Sequence, residues 1–189
     1  MKKLLFVVTL LLTVSAAAQD KKNDRAAAAT PGSVHYQLSK RAGEYVTVTK
    51  AHMRPNAPAT ETAGTAKIIS ILDGRFLLEE NSGGQFGKPF KGVRVYGYNN
   101  ESQQYEASWT YTGSTAILTM TGTSSDNGKT VSLGGGWAGA EGAMNPVNVR
   151  IRYLDDDRFI IELLGKADNG SEFIVVETNY TRKKTGGTQ

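Results

Sequence analysis

Few side chains in this sequence are equipped for chemistry. There are two histidines, His35 and His52, and no cysteine. The lack of cysteine excludes a disulfide framework, thiolate-ligated zinc, iron–sulfur clusters and a thiol nucleophile. It also excludes a lipid anchor on an N-terminal cysteine. A histidine-rich catalytic zinc site normally takes three protein ligands, and no His-Glu-x-x-His spacing occurs. The two histidines therefore read as capping or surface residues, and no metal or other cofactor is expected. Asp155-Asp156-Asp157 could converge on a cation only in a turn, since alternate strand side chains point apart. The run lacks the distal glutamate of a calcium loop, so it reads as a turn former. Gly128-Lys129-Thr130 resembles the end of a phosphate loop, but the earlier glycine it needs falls on Thr123. Gly83 to Lys88 reads as a hairpin turn rather than a nucleotide fingerprint. No Gly-x-Ser-x-Gly elbow is present. The expectation is a protein without catalytic residues; an enzyme would need a polar cluster around His35 or His52.

The aromatic rows are more informative. Tyr105, Ala107, Trp109 and Tyr111 alternate onto one strand face, and Phe90, Arg94, Tyr96 and Tyr98 share a face on the strand before. Paired across a hairpin, they would make one aromatic wall with Arg94 set in it. Three readings follow: a packed core, a hairpin surface on the outer face, or the lining of a ligand cavity with one cationic anchor. The candidate ligand-binding residues are Arg94, Tyr96, Tyr98, Tyr105, Trp109 and Tyr111.

These residues need strands to position them, and the sequence supplies about ten. Segments 44–50, 61–72, 75–81, 90–98, 104–112, 115–123, 129–133, 147–154, 158–166 and 172–181 are short and β-rich. Asp73-Gly74, Asn99-Asn100, Asp126-Asn127-Gly128, the aspartate run and Asp168-Asn169-Gly170 punctuate them. Nineteen threonines favour a pleated, half-buried surface. Such a meander most simply closes into an all-β, up-and-down antiparallel barrel, because closure removes edge strands. A two-sheet sandwich is the structural alternative. Before the strands, residues 33–42 can form a short helix, capped by Ser33, with Val34, Leu38 and the stem of Arg41 on one side and Gly43 as its stop. The segment Gly134 to Pro146 is too glycine-rich to hold a strand or helix. It reads either as a plain connection or as a lid loop carrying Trp137 over the barrel mouth.

The N-terminus reads as an address. Lys2 and Lys3, the apolar run Leu4 to Val14 and the small residues Ser15 to Ala18 form a cleavable signal peptide, residues 1–18. A spanning helix needs about 20 apolar residues, which this run does not reach. Export to the periplasm or beyond is expected, with residues 19–32 as a flexible leader, 33–184 as one barrel domain and 185–189 as a disordered tail. The net charge of +4 belongs mainly to the ends. After cleavage, Gln19 to Arg41 carries +3, Arg182 to Lys184 another +3, and Ala42 to Thr181 carries −4. A mildly acidic folded part is no nucleic-acid binder, and nothing in it suggests membrane spanning. The oligomeric state stays open.

A further set of residues carries a resemblance. Gly43-Glu44-Tyr45, Gly64-Thr65-Ala66, Leu72 to Leu77 (LDGRFL), Gly87 to Gly92 (GKPFKG), and Gly97-Tyr98-Asn99-Asn100 with Trp109 downstream occur in order. Asp126 to Thr130, Asp155 to Phe159 and Glu177 to Lys183 (ETNYTRK) complete it. Together they resemble the domain-of-unknown-function 1579 family of small bacterial proteins, over roughly residues 38–184. Tyr45 stands where that family often shows Trp, and Asn99 where it usually shows Asp. The resemblance implies a lipocalin-like (calycin) barrel and carries no activity over to any residue. Two functions are then expected in order of preference. One is a binding module for a small, largely apolar ligand. The other is an envelope structural or interaction domain with a filled core.

Overall fold

The computed structural model describes residues 25–184. The expected signal peptide 1–18, the start of the leader and the tail 185–189 lie outside the described residues. Helix α1 (Ser33–Ser39) precedes ten strands: β1 (Gly43–Ala51), β2 (Thr60–Ile71), β3 (Phe76–Gln85), β4 (Lys88–Asn99) and β5 (Gln104–Tyr111), then β6 (Leu118–Ser124), β7 (Thr130–Ala138), β8 (Met144–Tyr153), β9 (Arg158–Lys166) and β10 (Glu172–Arg182). Each strand pairs antiparallel with the next, and β1 pairs with β10, so the sheet closes into a barrel. This is the expected meander, and closure excludes the sandwich.

Alternation decides what goes inside. On β1, Tyr45, Thr47 and Ala51 are buried while Glu44, Val46 and Val48 are exposed. On β7 and β8, Val131, Leu133, Val147, Val149 and Ile151 enter the same core. The strands run between two ends. One end, at the start of β1, is closed by α1, which buries His35 and Leu38. Beneath it, Phe159 stacks on Tyr180 with ring centroids 4.2 Å apart, and Tyr45 meets Phe159 edge-on at 5.3 Å. The helix is tied down from the far end of the chain: the Arg182 guanidinium donates to the carbonyls of Lys40 and Ala42 and to Asp157. The three aspartates of the β8–β9 turn each engage an arginine, Asp155 with Arg158, Asp156 with Arg41 and Asp157 with Arg182.

Several local expectations are corrected. Ser33 does not cap the helix. The cap is Gly32, whose N–H donates to His35 Nδ1 at 3.1 Å. The helix ends at Ser39, and tight backbone bonds Arg41 N–H to Leu38 O and Ala42 N–H to Ser39 O turn the chain, leaving Gly43 as the first residue of β1. Part of the expected flexible leader lies against the barrel. Residues 25–29 are helical, and the carbonyls of Ala28, Ala29 and Thr30 accept hydrogen bonds from Asn100 and Arg75. The Gly83–Lys88 turn shrinks to Phe86-Gly87, because β3 runs on to Gln85.

The largest correction concerns the glycine-rich segment. Gly134, Gly135 and Gly136 lie inside β7, paired to β6 and β8, so Trp137 sits on a strand rather than on a free loop. The glycines are there because the neighbouring backbones come too close for side chains. A Cβ on Gly135 would run into the Thr119 carbonyl, one on Gly136 into the Asn145 carbonyl, and one on Gly122 of β6 into the Ser132 carbonyl. Strong coiling of three adjacent strands thus outweighs the weak strand propensity of glycine.

This gives a contrast within three residues. Gly135→Ala is expected to destabilise by about 2 kcal/mol, since the colliding atoms are backbone. Gly134→Ala, whose Cβ would find only the Asn148 side chain at 3.4 Å, is expected to change stability by less than about 0.5 kcal/mol. Urea unfolding of the two variants beside the native chain decides it; equal losses would refute the close-approach account.

Candidate functional site

The interior is built where β3, β4, β5 and β10 turn polar side chains inward. Strand register places Glu79 of β3 directly opposite Arg94 of β4, and Arg94 opposite Trp109 of β5. Arg94 Nη1 donates to Glu79 Oε2 at 3.0 Å. Glu79 is fully buried and the Arg94 side chain is 7% exposed. The other carboxylate oxygen, Glu79 Oε1, accepts from Tyr180 OH at 2.8 Å and from Asn81 Nδ2 at 3.0 Å. The Arg94 guanidinium also lies 5.0 Å over the Trp109 ring. Burial works against the Arg94 charge, but Glu79, with Tyr180 and Tyr96, outweighs it and holds the guanidinium above its ordinary pKa. Burial, then the Glu79 charge, pushes the Tyr180 hydroxyl far up, and burial first does the same for Tyr96. Both phenols stay neutral donors.

Above this network a narrow cavity of about 60 Å³ runs along the barrel axis, with Arg94 and Trp109 in its wall and Leu133, Val149, Ile161 and Val176 opposite. It widens, past Phe90, Trp109, Gln85 and Leu163, into an open mouth of about 840 Å³ at the end away from the helix. Phe90 stacks on Tyr111 at 5.8 Å on one side of that mouth, and Trp137 lies among its lining residues. Thr47, Thr49 and Thr178 add hydroxyls to the cavity wall, Thr49 and Thr178 bonded to each other at 3.1 Å.

The six residues singled out from the sequence fall into two groups. Arg94 and Trp109 line the cavity, and Tyr111 lines its mouth. Tyr96 is buried in the core, while Tyr98 and Tyr105 meet edge-on at 5.2 Å on the helix side, where Tyr98 packs on His35 and both line a separate open groove of about 850 Å³ beside α1. The two aromatic rows do pair across the β4–β5 hairpin. Glu79, Asn81 and Tyr180 were not anticipated. The available signal was the alternation Leu77-x-Glu79-x-Asn81, which puts all three on one face. The histidines take structural roles, His35 at the helix start and His52 Nδ1 2.9 Å from the Ala57 carbonyl. No three His, Cys, Asp or Glu side chains gather in metal-binding geometry among the described residues.

A closed ten-strand antiparallel barrel, with a helix across one end and an open mouth at the other, defines the class. Within it, the family model of the "Protein of unknown function (DUF1579)" matches residues 30–182, and the chain belongs to this family. Comparison with curated proteins finds no match. Among solved structures, the fold is shared with Rv2717c from M. tuberculosis, at a TM-score of 0.59 and 15% identity, covering 82% of this chain and 100% of that one. It is also shared with the S-type phycobiliprotein lyase CPES from Guillardia theta, at 0.52 and 12% identity, covering 82% and 99%. At these identities the likeness is one of fold.

Two outcomes follow from the buried network. Glu79→Leu or Arg94→Met alone strands the opposite charge and is expected to cost about 3–5 kcal/mol. The double substitution is expected to recover most of that loss, and chemical unfolding of all four proteins tests the pairing. In base, Tyr96, Tyr153 and Tyr180 hold their protons in the folded state beyond the ordinary phenol value, each chiefly through burial. The unfolded chain ionises its tyrosines near pH ~10. Stability is therefore complete below that pH and falls as pH rises through it. Absorbance titration at alkaline pH should show these three of the eight tyrosines ionising only as the fold is lost.

Proposed function

We propose that this protein is an exported, non-enzymatic binding module that holds a small, largely apolar ligand inside its barrel. The observation that carries the reading is the cavity itself: an apolar slot, open at one end, with a single buried and partly engaged guanidinium in its wall. Apolar walls with a few convergent polar groups are the usual make-up of a ligand site. A barrel of the same shape serves in a phycobiliprotein lyase, which is compatible with small-molecule handling. The N-terminal Lys2-Lys3, apolar run and small residues support export to the periplasm or beyond.

A second reading is an envelope interaction domain whose interior is simply core. Its support is the narrowness of the cavity and the exposed Met53, Phe86, Ile117 and Met144, all on loops or strand ends of the open side. One measurement separates the two. Native mass spectrometry of protein recovered from its own host should give a chain starting at Gln19 and carrying a non-covalent small molecule. Repeatedly empty protein that also takes up no apolar dye would overturn the binding reading, and a chain retaining Met1 would overturn export.

A further inference from the structure

The polar wall of the cavity also bears on which head group it accepts, given the binding reading above. Among the described residues that line the cavity, Arg94 is the only charged one. A guanidinium has five N–H donors. The Arg94 side chain is held by Glu79, through Nη1, and by Tyr180. Two partners do not use up five N–H donors, so part of the guanidinium is left unengaged although the side chain is only 7% exposed. The cavity wall therefore offers unspent donors. Trp109 Nε1–H is also without a partner, but it has no exposed surface and lies with Asn81 Oδ1 against Gly92.

The charge, in contrast, is spent. Glu79 sits behind Arg94, ionic partner to it and saturated by Asn81 and Tyr180. Asn81 lines the same cavity, and its Oδ1 is a buried acceptor with no donor. Both Asn81 Oδ1 and Trp109 Nε1 lie against Gly92, where a Cβ would come to 2.6 and 2.9 Å from them. The site is thus rich in donors, short of net positive charge and already holding one bare acceptor. A ligand carboxylate would bring a second negative charge to within the width of one guanidinium of Glu79, in a wall with no other cation. Like charges at that spacing disfavour the charged form strongly. A neutral carbonyl takes the same hydrogen bonds without that repulsion.

We infer that the ligand meets Arg94 with an uncharged oxygen acceptor, a ketone, ester or amide carbonyl at the end of an apolar chain, and that Glu79 is the residue that excludes carboxylates. Arg94 is the hydrogen-bond donor to the ligand, and Glu79 acts through Arg94 as a specificity-determining, positioning residue.

Dodecanoate and 2-tridecanone make a matched pair of probes, since a methyl group replaces the carboxylate O⁻ at the end of the same chain. Their binding is read at pH 8 from the emission of Trp109, in a Trp137→Phe background that leaves one indole. The ketone is expected to bind at least about tenfold tighter than dodecanoate. In Glu79→Gln the guanidinium loses its counter-charge, and the preference is expected to move by at least about tenfold towards dodecanoate. Equal binding, or tighter dodecanoate binding, on the native protein overturns the head-group inference and leaves the binding reading standing. Binding of neither probe counts against the binding reading itself. A ketone preference that Glu79→Gln leaves unchanged removes Glu79 from the account. If Glu79→Gln does not fold, the native comparison decides the head group alone, and Glu79→Asp, which keeps the charge, is expected to keep the ketone preference.

Discussion

Closure of the sheet is the constraint on which the rest of this structure depends. Once β1 pairs with β10, the chain has one inside, and every strand commits alternate residues to it. A shift of one residue in any strand would turn Leu77, Glu79 and Asn81 out to water and bring Glu80 in. Closure also makes the coiling tight. Adjacent strands β6, β7 and β8 cross so closely that three glycines stand where side chains would strike backbone carbonyls. With no cysteine in the chain, nothing covalent shares the task. Closure, the aromatic stack of Tyr45, Phe159 and Tyr180, and the Arg182 contacts to the helix segment hold the ends of the chain together.

The same closed interior is divided into two unlike halves. On the helix side, large aromatic side chains fill the barrel core, and an open groove lined by Leu38, Tyr98 and Tyr105 remains beside α1. On the other side, the side chains facing inward are smaller or set back, and a channel to solvent remains. The Glu79–Arg94 pair with Tyr180 and Asn81 lies at the join. A fully satisfied carboxylate reaching both β4 and β10 links opposite walls of the barrel. An ionic network of a different kind stands on the outer face, where Glu162 is covered by Arg150 and Arg152. There the arginines are a third or more exposed while Glu162 beneath them is only 2% exposed, so water screens the arginines more than the carboxylate they cover. Inside the barrel no such screening exists, and the pair is both stronger and more demanding.

How much of this was legible in the sequence depends on the range of the interaction. Alternation and turn residues are local, so the ten strands and the shared faces of the aromatic rows could be read directly; which face points inward depends on how the sheet closes and could not. The pairing of the two aromatic rows needed only a neighbouring hairpin. Depth along the axis was not legible. Tyr98 and Tyr105 lie on the inward faces, yet pack on the helix side because α1 brings His35 down on Tyr98. Glu79 went unread for a related reason: one carboxylate in Leu-Leu-Glu-Glu looks exposed until the register sets it against Arg94. Gly134 to Gly136 misled in the opposite direction. Their composition suggests a loop, and only the closeness of Thr119 and Asn145 shows why a strand requires them. The family motifs fared as the turns did, since most of them are turns and their flanks.

The central ion pair is hard to explain by stability alone. Buried pairs of this kind are often replaceable by well-packed apolar residues at no loss, because desolvation offsets most of the attraction. The surrounding wall is apolar and could accommodate such a replacement. What an apolar pair could not supply is a fixed array of hydrogen-bond donors at the closed end of a narrow slot. Glu79 and Tyr180 hold the guanidinium, Tyr180 and Asn81 hold Glu79, and Arg94 stands in the cavity wall with donors to spare. Preorganised donors lose little freedom on binding. The arrangement that costs most to bury is therefore also one suited to recognition, and a mouth open to solvent lies on its side of the barrel.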